Sequence, residues 1–96
     1  MKTSTFTVNN VLDPEPVIVT SVCRSVTIGE DPGVAGWPNS DYRVKGTAAD
    51  SALTTQPAGT RFTFERRTGQ PAYSPGQIIG YVETVTGSTT FLQVEQ

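Results

Sequence analysis

The feature that most constrains this chain is its punctuation. Short alternating segments rich in Thr and Val are cut every dozen residues or fewer by turns built on Pro and Gly. β-Branched side chains suit a pleated surface and cost helix stability. Proline presets φ and glycine permits positive φ, so each such cluster ends a strand for a physical reason. Fifteen threonines are spread over the 96 residues, and no window repeats apolar positions at the helical period. Residues 47–53, with their alanines, are the best helix candidate. They lack a second apolar turn and read as a loop or single turn.

Strands are expected at residues 5–8, 41–45, 61–65, 78–85 and 89–94. In these segments Phe6 and Val8, Tyr42 and Val44, and Phe62 and Phe64 fall on common faces. Residues 17–28 form the longest β-rich run. It is long for one strand, so a break or bulge is expected near residues 21–24. Residues 78–94, divided by Thr86-Gly87-Ser88, read as a β-hairpin with a three-residue loop. The expected fold is all-β: a small β-sandwich or barrel of about six to eight short antiparallel strands. Residues 1–16 read as an extended N-terminal arm with a Pro-containing connector, Val11 to Pro16, and residues 17–96 as one β domain. The strand in the arm either pairs within its own domain or adds to a neighbour's sheet edge.

A mass of 10.3 kDa corresponds to roughly 5,400 Å² of folded surface, about 64% of the extended chain's surface being buried. Only 35% of residues are apolar. The core is thin, so the chain is either a small stable monomer or one that gains burial from a partner. Formal net charge is −2, with no basic stripe of the kind nucleic acid requires, and nucleic acid is not an expected partner. No apolar run reaches the length of a membrane span, and no secretory h-region follows Met1. Membrane is likewise not expected. The adjacent Arg66 and Arg67 would point in different directions on a strand; they read as solvated surface or as holders of one phosphate or carboxylate.

The missing residues limit the chemistry. With no histidine and one cysteine, Cys23, neither a disulfide framework nor a structural zinc site nor a Ser-His-Asp or Cys-His nucleophile is available. Cys23 reads as a small buried hydrophobe. Gly29, Gly33 and Gly36 lie in a Pro-containing loop and form no phosphate cradle. Glu30, Asp31, Asp41, Glu65 and Glu83 are scattered carboxylates without a second catalytic feature, and Glu30, Asp31 and Asp41 lack calcium-loop spacing. We therefore expect no catalysis, no metal and no cofactor. Trp37, between Gly36 and Pro38, is either a plug over one end of the sandwich or an interface anchor. With Tyr42, Tyr73 and Tyr81 it would also suit a carbohydrate-binding module.

Three blocks together resemble small virion proteins of tailed bacteriophages, especially capsid decoration or cement proteins. They are residues 25–32 running into Gly36-Trp37-Pro38, residues 57–62, and residues 73–83 followed by 87–91. The likeness is one of texture: rich in Thr, Gly and Ala, short-stranded, without His, and about a hundred residues long. It has no diagnostic motif, and the chain departs from one decoration type that has a longer disordered arm and some helix. The resemblance implies a protein made in the host bacterial cytoplasm and resident in the virion. It would bind the major capsid protein or another virion protein, often as a homo-oligomer, with a trimer favoured. Tail, neck, spike and fibre modules share the same β physics. On this reading the expected contacts with neighbours are Phe6, Val8, Val11, Leu12, Trp37, Arg66 and Arg67.

Overall fold

Side chains along a strand alternate between two faces, and the last strand shows how that alternation builds the molecule. In Thr89–Glu95, Thr89, Phe91, Gln93 and Glu95 are buried, while Thr90, Leu92 and Val94 lie on the opposite, partly exposed face. The computed structural model of the chain describes residues 1–9, 14–30, 41–48, 51–85 and 87–96. Among them are eight strands: β1 Lys2–Val8, β2 Glu15–Ile18, β3 Ser25–Glu30, β4 Tyr42–Lys45, β5 Thr54–Gln56, β6 Phe62–Glu65, β7 Ile78–Thr84 and β8 Thr89–Glu95. They form two four-stranded antiparallel sheets, in the orders β1-β8-β3-β6 and β2-β7-β4-β5. The described residues include no helix, and the all-β, sandwich-like expectation holds.

The two inner faces share one core. Val8, Val26, Ile28, Phe64 and Phe91 come from the first sheet, and Val17, Tyr42, Val44, Ile79 and Val82 from the second. Phe91 is its hub. Phe6 stacks on it at 5.3 Å, and Tyr42 from the opposite sheet meets it edge-on at the same distance. Gly80 of β7 packs against Phe64 of the opposite sheet. A Cβ there would lie 2.6 Å from the Lys45 carbonyl oxygen and press into the Phe64 ring, so only glycine fits.

Three expectations are corrected or refined. The 78–94 hairpin does not form. β7 pairs with β2 and β4, β8 pairs with β1 and β3, and the connection between them crosses from one sheet to the other. Between the two strands Gly87 has φ 66° and its carbonyl accepts from Thr84 Oγ1 at 2.7 Å. A sharp turn reverses the chain without choosing the sheet it returns to. Thr86 lies outside the described residues.

The break in residues 17–28 is also a change of sheet. β2 ends at Ile18, Cys23 makes an isolated bridge to Tyr73, and β3 starts at Ser25. The inward parity therefore switches, and both Val17 and Val26 are buried while Ile18 is 45% and Val22 72% exposed.

The separate N-terminal arm is not confirmed. β1 pairs along its whole length with β8, from Lys2 opposite Glu95 to Val8 opposite Thr89. Glu15 and Pro16 sit in β2 opposite Val82 and Tyr81. Val11 and Leu12 lie outside the described residues.

Candidate functional site

β1 and β2 are edge strands of opposite sheets, and a groove of about 210 Å³ lies between them. Phe6, Pro16 and Ile18 supply its apolar walls and Gln93 contributes to its lining. Edge strands are commonly blunted by proline, charge or shortness. β2 contains Pro16 and Glu15, and β5 has three residues. β1 runs for seven residues with no proline and a single charge at its start, Lys2. It is the least protected edge among the described strands. Phe6 is half-buried, facing both Phe91 and the groove. Val8 has no exposed surface; as a core residue opposite Thr89 it is out of a neighbour's reach, which corrects its expected role as a contact.

Beside this groove lies a buried carboxylate that sequence reasoning did not single out. Glu95 is 1% exposed. It accepts from the Thr20 backbone N–H at 3.0 Å, from Thr20 Oγ1 at 2.8 Å, from Ser21 Oγ, and from Gln93 Nε2 at 2.8 Å. Burial pushes its pKa upward, but the hydrogen bonds from Ser21, Gln93 and Thr20 outweigh it and hold the value at about 2. Gln93 also donates to the Ile18 carbonyl at 2.9 Å. Glu95 and Gln93 thus fasten the end of β8 to the segment leaving β2. The available signal was parity, since both share a face with Phe91.

A second, larger cleft opens where β6 leaves its sheet. It has a volume of about 580 Å³ and is walled by the Gly46–Ala48 turn, by Arg66, Arg67 and Gln70, and by Tyr73 and Gln77. Arg66 follows Phe62 and Phe64 in parity, so it projects where the core ends. Its guanidinium lies 4.7 Å from the centroid of the Tyr73 ring. Its Nε is buried and has no hydrogen-bond partner, a condition shared among the described residues only with Thr89 Oγ1. Arg67 is exposed, and its backbone is held in a turn. Its N–H donates to Gln70 Oε1 at 2.8 Å and its carbonyl accepts from Arg24 at 2.8 Å.

The remaining sequence candidates disperse. Tyr42 is fully buried and donates to the Thr60 carbonyl at 2.7 Å. Tyr73 lies beneath Arg66, and Tyr81 packs under Lys45 at 5.5 Å on the outer face of the second sheet. The three rings share no platform, and Trp37 and Asp31 lie outside the described residues. Glu83 pairs with Arg43 at 3.2 Å, and Asp41 accepts from the Ala58 N–H at 2.9 Å. Cys23 is buried, and burial raises its thiol pKa. No group of three or more Cys, Asp or Glu placed to hold a metal ion occurs among the described residues. Comparison with known proteins finds no matching family, no matching curated protein and no matching solved structure.

Proposed function

We propose that this chain is a structural virion protein that binds the outer surface of an assembled phage capsid and braces it without catalysis. The resemblance described above supplies the setting. The observation that carries the contact is the unprotected β1 edge beside the Phe6–Pro16–Ile18 groove. An extended segment of the capsid protein adds to β1 through main-chain hydrogen bonds, and one apolar side chain seats in the groove. Each contact is small. Copies arrayed on a repeating lattice, or joined as a homo-oligomer, turn small contacts into firm attachment.

Binding to the candidate shell tests this directly. Removing residues 1–12 is a poor probe, because it deletes a core strand together with Val8. Thr5→Lys and Ile18→Lys change exposed positions and should each lower shell occupancy in a co-sedimentation assay by about tenfold. Undiminished occupancy in the double variant would discard the β1 edge as the contact. Failure of the unaltered chain to bind the shell would discard the virion role.

A further inference from the structure

The Arg66 cleft has a polarity that its individual residues do not announce. Gln70 and Gln77 both line it. Gln70 Oε1 accepts from the Arg67 backbone N–H at 2.8 Å, and Gln77 Oε1 accepts from the Ser74 backbone N–H at 3.0 Å. A backbone N–H only donates, so each contact consumes the amide oxygen and fixes the orientation of the carboxamide. What each glutamine keeps in reserve is its Nε2, which makes no hydrogen bond within the described residues. Arg66 adds a guanidinium that rests on Tyr73, has no carboxylate partner among the described residues, and keeps a buried Nε unsatisfied. Arg67 adds a second guanidinium, and Glu65 is the one carboxylate among the described lining residues. The unused hydrogen-bonding capacity of the cleft is therefore dominated by donors.

Such a surface has a definite complement. A guanidinium placed over an aromatic ring still has its terminal N–H groups to donate, and that fork matches two oxygens of one oxyanion. We propose that the cleft binds a small oxyanion, a phosphate or carboxylate group, held by Arg66 with the Gln70 and Gln77 amides as further donors. The inference is independent of the β1 edge and of any capsid role.

The test is an NMR titration of the isolated chain with inorganic phosphate, with succinate, and with chloride as control. The Arg66 Nε–H and the Gln70 and Gln77 Nε2 signals should shift saturably with a dissociation constant in the roughly millimolar range. Phosphate outbinding succinate assigns the site to tetrahedral anions, and the reverse assigns it to carboxylates. Arg66→Gln should weaken binding at least about tenfold, and Arg66→Lys should restore it only in part, because an ammonium has no fork. Gln70→Glu is the sharper variant. It preserves the acceptor for the Arg67 N–H and replaces the free donor with oxygen, so it should weaken binding while the rest of the spectrum stays native. No saturable shift with either anion up to about 50 mM, or Gln70→Glu and Arg66→Gln both binding as tightly as the unaltered chain, would overturn the proposal.

Discussion

Glu95 and Arg66 are charged side chains at opposite extremes of satisfaction. Glu95 is almost completely buried and meets donors from Thr20, Ser21 and Gln93. Arg66 is half-buried, lies on one ring, and leaves its Nε without an acceptor. The first arrangement is closed: every donor already has its acceptor, and the result is a fastening between β8 and the segment after β2. The second is open: Arg66 lines a cleft, and its buried Nε has no partner among the described residues. A buried charge is tolerated when hydrogen bonds replace its water. A folded protein that leaves such a group unfinished beside empty space has the makings of a binding site. The difference separates a polar group that serves the fold from one available for something else.

The comparison can be broken at either end. The largest effect should come from Glu95→Gln, which places an amide against donors and removes the charge they surround; unfolding by urea should register a loss of about 4 kcal/mol. A loss below about 1 kcal/mol would mean the fastening contributes little. Acid should have the next largest effect. Glu95 ionises at about 2 in the folded chain against an ordinary value of 4.5. Its contribution is complete above pH 4.5 and disappears as pH falls toward 2, a change of about 3 kcal/mol. Denaturation measured across that range should show the decline, and Glu95→Gln should flatten it. The smallest effect is expected at Arg66. Arg66→Gln gives up one cation–π contact and no side-chain hydrogen bond among the described residues, so stability should change by less than about 1 kcal/mol. A large loss there would place Arg66 among the groups that hold the fold together.

Much of the strand pattern was legible. Alternation located β4, β6 and β8 to within a residue or two, as at Phe62 and Phe64, and the turn residues marked where strands end. β5, Thr54–Gln56, was missed because three polar residues show no alternation against a core. The Arg66–Arg67 pair was visible as a pair of charges. Its cleft was not, because Gln70, Tyr73 and Gln77 come to Arg66 through turns whose geometry is absent from the spacing of residues. Glu95 stood in plain sight on the Phe91 face, yet a strand-end glutamate ordinarily reaches water; only the placement of Thr20 and Ser21 above it makes burial tolerable.

The amino-acid sequence by itself determined that the chain is β-structured, where it turns, and which side of most strands is apolar. These properties depend on φ preferences and on alternation over a few residues. Tertiary structure alone decided which sheet each strand joins, including the crossing between β7 and β8 where a hairpin was expected. It also decided which polar side chains find partners. Both depend on contacts between residues far apart in the chain, such as Phe91 with Tyr42 and Glu95 with Thr20, and a local pattern contains no term for either.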